Sequence, residues 1–230
     1  MLLTATNYHD LISKLPSIDV LVPSRANGRK KHHTETYSIV RLLSTLPPEA
    51  LEYPLSLVKR ERPDFELQCP GFSIGIEHTE AISENAAKEA FLRAGGAGPN
   101  VYFTKKASIS EPRKSSKQLL EEIKSNDPGE PWVGDSIERE WAEAIAHFAK
   151  KKIDALAKPG FQRLPQNWLL IYDNWPATGL GSSEGIPYVQ EALNRVDSWS
   201  SFNRIFIQSE SLLIDLSSND RVAQYDVKHP

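Results

Sequence analysis

Two carboxylates thirteen residues apart carry the strongest chemical signal in this sequence. In the segment ERPDFELQCPGFSIGIEHTEA, Asp64 opens one extended run and Glu77 stands near the end of the next. A tight reversal at Pro70-Gly71 brings the two acids together at one edge of a sheet. Like charges placed so close repel unless a proton or a cation relieves them. A hard divalent ion, Mg²⁺ (or Mn²⁺), takes one or two carboxylates and fills its other positions with water and phosphate oxygens. The pair therefore points to metal-assisted chemistry on a phosphate.

The elements around these acids are legible from periodicity. Three short extended segments are expected at 54–61, 64–67 and 72–79. Before them, Thr34 offers an N-cap for a helix running to Leu46, which Pro47 and Pro48 stop. Ile39, Leu42, Leu43 and Leu46 recur on one face of that helix, with Glu35 one turn before Ile39. A short helix is expected at 7–15 and a short strand at 18–22. A long amphipathic helix follows from 136 to 157, ended by Pro159-Gly160. WLLIYD (168–173) has the continuous apolar character of a central strand, and 204–208 and 211–216 form a hairpin around Ser209-Glu210. Trp168, Tyr172 and Phe206 belong to the core. The order is an α/β one, helix, three strands, helix, strand and further strands, giving a mixed sheet flanked by helices. Residues 82–135 are less regular: a helix at 83–93, the glycine cluster GGAGPN, a strand VYFT and a charged helix at 115–125. They hold too few apolar residues for a core of their own and read as an insertion. The expectation is one domain over 1–230, with core segments at about 33–80 and 136–216 and the insertion at about 82–135.

Pro63-Asp64, followed by Glu77 at the end of an apolar strand, resembles the PD-(D/E)xK motif of the restriction-endonuclease-like superfamily. The preceding helix with Glu35 and the α-β-β-β-α-β order extend the resemblance over roughly 33–80 and 136–173. The resemblance implies that Asp64 and Glu77 ligate the metal, with the backbone carbonyl of His78 completing the protein's share. Glu35 matches the glutamate that many members place on the first helix, as an indirect ligand or second-metal partner. The implied chemistry is attack of a metal-activated water on a phosphodiester. The sequence departs from the pattern at one position: the family's lysine belongs two residues after Glu77, where Thr79 stands. Thr79 shares the strand face of Glu77 but brings no positive charge. Lys152 is the candidate to replace it. It falls within the apolar stripe of the long helix, among Trp141, Ile145, Phe148 and Leu156. An ammonium on a buried face must snorkel or find a carboxylate, so Lys152 is expected to reach the Asp64/Glu77 pair.

Charge distribution suits either a groove for a polyanionic substrate or solvated surface loops. The net charge is only −3, but residues 25–33 carry four basic side chains and no acid, and residues 88–117 carry seven against two. Local potential, more than net charge, steers a phosphate backbone. Arg29, Lys30, Lys31, Lys105, Lys106, Arg113 and Lys114 are the candidate contacts to nucleic acid, DNA being the expected one. Tyr102 and Phe103, beside two of those lysines, either stack on bases or pack inside the insertion. His32-His33, lacking further spaced ligands, is read as polar surface.

Cys69 is the only cysteine, which excludes disulfides within the chain and cysteine-based zinc sites and suits a reducing, cytoplasmic setting. No apolar run approaches a membrane span and no secretion leader is evident, so no membrane partner is expected. A homodimer or larger complex is left open. Besides a metal-dependent nuclease, Thr79 leaves two alternatives on the same fold: a catalytically inactive nucleic-acid-binding protein and a partner-binding component.

Overall fold

A computed structural model describes residues 1–161 and 163–229. Eight strands form one mixed sheet in sequential order: β1 (Leu3–Ala5), β2 (Leu55–Lys59), β3 (Phe65–Cys69), β4 (Phe72–Ala81), β5 (Gln166–Asp173), β6 (Arg204–Gln208), β7 (Leu212–Ser217) and β8 (Val222–Asp226). β4, β5 and β6 run parallel to one another, and all other neighbours are antiparallel. The parallel steps require crossovers, which helices supply.

Strand alternation sorts the core into two layers. Leu57, Phe65, Ile76, Leu170 and Phe206 point to one face, where α1 (Tyr8–Lys14) and α2 (Lys31–Thr45) cover them. Leu169, Ile171, Ile205, Ile207 and Ile214 point to the other, beneath α5 (Ser136–Leu156) and α6 (Ser182–Arg195). The apolar faces of α2 and α5 read from the sequence are the ones buried here: Ile39, Leu42 and Leu43 on one, Trp141 and Ile145 on the other. The insertion contributes α3 (Glu84–Ala94) and α4 (Ser116–Ser125), the latter begun by a Ser115/Gln118 capping box. No helix among the described residues is long and apolar enough to cross a membrane.

The β3–β4 hairpin closes over Pro70 and Gly71, with Cys69 opposite Phe72 and Gly71 at φ +81°. Glycine adopts that conformation without a Cβ clash. Gly75 matters for a different reason: a side chain there would meet the Pro63 ring at 3.1 Å. Its absence lets the chain just before Asp64 lie against β4.

Several expectations are corrected. Residues 18–22 form no strand; Ile18 and Val20 pack against the α1/α2 layer, and β1 takes the edge beside β2. VYFT (101–104) has no strand to pair with and stays irregular, with Val101 and Phe103 exposed and Tyr102 lying under the Arg93 guanidinium at 3.7 Å. Thr34 does not cap α2. The helix starts at Lys31, His33 Nδ1 accepts a hydrogen bond from Lys30 N, and Thr34 Oγ1 donates to Lys31 O inside the first turn. The sequence reading also missed β1, β8 and α6.

Candidate active site

Asp64 stands one residue before β3, and the register Phe65↔Ile76 sets it opposite Glu77. Residues opposite one another in an antiparallel pair share a face. Both acids therefore point toward α5, and both are buried, at 3% and 5% exposure.

Lys152, from α5, meets them both. Its Nζ donates to Glu77 Oε2 at 2.6 Å and to Asp64 Oδ2 at 3.1 Å. Asp64 Oδ2 also accepts from the backbone N–H of His78 at 2.8 Å, while Asp64 Oδ1 accepts from Lys31 Nζ at 2.7 Å. Lys31 pairs in turn with Glu35 Oε1 at 2.7 Å, and Lys59 takes the other Glu35 oxygen. The result is an alternating chain of charges: Lys59, Glu35, Lys31, Asp64, Lys152, Glu77. It joins β2, α2, the start of β3, α5 and β4. Such alternation makes burial of three carboxylates tolerable, since an unpaired buried charge is costly.

The two central acids are tuned apart. Burial raises the Asp64 carboxyl, but Lys152, the Lys31 hydrogen bond and the His78 N–H outweigh it and hold Asp64 well below the usual carboxylate range. Burial raises Glu77 as well. There the Lys152 charge is offset in part by the Asp64 charge, so Glu77 lies above its ordinary value. Two carboxylates sharing one ammonium divide in this way, and divergent pairs of this kind are a mark of functional sites.

The remaining predicted residues lie in several places. Thr79 lines a cleft of about 280 Å³ together with Arg29, Lys30, Lys31 and Lys152. His78 and Glu80 alternate to the opposite face of the strand but border the same cleft. The His78 ring pairs with Ser38 Oγ on α2 at 3.1 Å, and burial drives its pKa down to about 3, so the ring stays neutral. Arg113 lies in an adjoining hollow with its guanidinium on Glu84. Lys105, Lys106 and Lys114 line a different hollow in the insertion. There Lys114 is paired with Glu111 and Glu122, Lys105 lies near Glu122, and Lys106 sits over the Trp132 ring. Glu35 reaches Asp64 only through Lys31. Taking Thr34 as the N-cap starts α2 four residues late and hides the bridging place of Lys31. With Lys31 inside α2, its i,i+4 spacing to Glu35 is the signal that finds it.

The donor set suits a hard cation. Two buried carboxylate oxygens, one from each acid, converge on a single positive group, the Lys152 ammonium. Among the described residues, no three side chains from Asp, Glu, His or Cys cluster as a metal cage. A metal here would accordingly depend on two carboxylates plus backbone, water or substrate oxygens, as Mg²⁺ accepts.

No family model matches the chain, and no curated protein matches it. Among solved structures it is similar to SfsA of Pyrococcus furiosus in complex with Ca²⁺, at 11% identity and a TM-score of 0.29. The alignment covers 89% of this chain and 66% of that one. A likeness this distant adds nothing to the reading of the site, which rests on its own geometry.

Proposed function

We propose that this protein is a metal-dependent nuclease that hydrolyses nucleic-acid phosphodiester bonds, with DNA as the expected substrate. One observation carries the reading: Lys152 reaches both acids of the motif from a different element, putting positive charge where Thr79 cannot. Asp64, Glu77 and the His78 carbonyl are the groups that would hold Mg²⁺ or Mn²⁺. When bound, the ion supplies a water of lowered pKa and neutralises charge on the phosphate.

The chain's own residues do the rest. Lys152 presents its ammonium at the cleft wall, where it stabilises negative charge growing on the phosphate in the transition state. Thr79, beside it in the cleft, offers a hydroxyl to a water or a phosphate oxygen. Lys31 is two-thirds exposed and stands at the cleft mouth, tied by Asp64 and Glu35, so it meets an incoming phosphate first. Glu35 acts as a positioning residue, since it fixes Lys31 and Lys59.

The test is cleavage of labelled duplex and single-stranded DNA and RNA with Mg²⁺ or Mn²⁺, compared with EDTA. The wild type should cleave in a metal-dependent way, Asp64→Asn should abolish cleavage, and Lys152→Met should slow it about 10²–10³-fold. The second reading is a binding protein without turnover, of nucleic acid or of a protein partner. Thr79 in the motif position and an ammonium seated on both carboxylates favour it. Absence of cleavage on every substrate with either metal would establish this second reading over the first.

A further inference from the structure

Arg25 and Arg29 converge on one carboxylate. Arg25 Nη2 donates to Glu80 Oε1 at 2.6 Å and Arg29 Nη2 to the same oxygen at 2.9 Å, while Asn174 Nδ2 donates to it at 2.7 Å. Two guanidinium groups on one carboxylate leave one positive charge uncompensated. Both side chains are mostly enclosed, at 22% and 15% exposure, so their forks are held in place. Arginine held this way is suited to a phosphate.

Their location gives the pair its meaning. Arg25 and Arg29 line the 280 Å³ cleft that contains Lys31, Thr79 and Lys152, and they also line a second hollow of about 420 Å³. They are thus the wall shared by both. The second hollow adds Lys88, Arg113 and the ring of Phe91, a residue 50% exposed. Seven cationic side chains and two acidic ones line the two hollows, with Lys31 and Lys152 matched by Asp64 and Glu77 behind the wall. A chain of phosphates leaving the catalytic cleft on this side crosses the arginine pair and comes to an exposed aromatic ring. An unpaired base can stack on such a ring, whereas a base within a duplex cannot reach it.

We infer that Arg25, Arg29 and Phe91 form a subsite for a single-stranded segment of nucleic acid flanking the cleft, the arginines holding a phosphate and Phe91 a base. The inference rests on the nucleic-acid reading of the cleft, and it adds which strand state is taken and where.

Binding separates the two claims, because it can be measured in EDTA, where metal-dependent cleavage is off. Fluorescence anisotropy of labelled single-stranded and duplex oligonucleotides over a range of salt is the readout. Wild type should bind single strands more tightly than duplex of equal length. Arg25→Gln/Arg29→Gln should lower the slope of log K against log salt by about 0.7, the value for one phosphate contact on a single strand. Arg25→Lys/Arg29→Lys, which keeps the charge, should restore that slope and guards against a folding artefact. Phe91→Ala should weaken single-strand binding about 5- to 150-fold with the slope unchanged. An unchanged slope in the glutamine variant, full affinity in Phe91→Ala, or preference for duplex overturns the subsite, whether or not the wild type cleaves. Binding as described, without cleavage in Mg²⁺ or Mn²⁺, keeps the subsite and removes the nuclease.

Discussion

Buried acids on the same sheet are neutralised in two different ways. Asp215 on β7 meets Arg204 on β6 through two contacts, Nε at 3.1 Å and Nη2 at 2.5 Å, and that guanidinium lies over the rings of Trp168 and Phe206. Asp64 and Glu77 meet lysines, and the cavity beside them is lined with further cations. The arginine is a planar fork held against two adjoining aromatic rings. The lysine is a point charge on a flexible stem, able to follow a phosphate or yield its place to an ion. Equal burial therefore comes with different surroundings: the first pair lies against two rings, and the second borders a cleft lined with further cations.

The contrast can be broken at four points. Arg204→Met should cost most, about 3–5 kcal/mol in urea denaturation, because it leaves Asp215 buried without a partner. Lys152→Met should cost less, since Lys31 and the His78 N–H still serve Asp64, and Glu77, already raised by burial, can take up a proton. Added Mg²⁺ or Mn²⁺ should raise the Tm of this variant in proportion to the logarithm of metal concentration above Kd. In Arg204→Met, which leaves Asp64 and Glu77 untouched, the same metal should raise the Tm no more than it does in the wild type. Equal rescue of both variants would erase the distinction drawn here.

A third, smaller effect concerns pH. The Asp173 carboxyl at the end of β5 is enclosed, although the residue keeps some surface. Burial pushes its pKa up to about 6 from 3.8, even though Trp175 N–H and Trp141 Nε1 donate to it. A carboxyl raised in the folded state binds its proton more tightly there than in the unfolded chain. Its contribution to stability therefore grows as pH falls through about 6 and is complete below 3.8. Subtracting the Asp173→Asn profile from that of wild type should show this rise. A flat difference would place the carboxyl in contact with water.

The smallest change is expected two residues from Lys152 on the same helix. Lys150 is half exposed and pairs with Asp154 one turn on. Lys150→Ala should shift stability by no more than about 0.5 kcal/mol and leave metal binding untouched. A larger shift would mean that the helix as a whole, not the direction of one side chain, sets the behaviour of Lys152.

The acidic hairpin was legible because Pro70-Gly71 and two alternating runs fix its register locally. Lys152 was legible because a lysine inside an apolar stripe needs an explanation, and the explanation lay nearby in space. Lys31 was hidden by a misplaced helix start. The Arg25–Glu80 contact spans 55 residues, and no periodic pattern marks an interaction that folding alone creates. α6 was missed because Gly185 and Pro187 lie inside it. The glycine admits the Trp141 ring, which a Cβ would meet at 2.7 Å, so tertiary packing outweighs weak helix propensity there. β8 is an edge strand whose residues alternate between exposed and half-buried, which leaves little apolar signal to read.

The sequential strand order has a consequence in time. Asp64 and Glu77 are joined by a short hairpin and can meet early, while the amine that balances them lies 88 and 75 residues further along. During synthesis the acids leave the ribosome well ahead of it. Until the long helix docks on the sheet, the nascent protein carries the motif's acids without that counter-charge, and the assembled centre exists only once both halves have folded together.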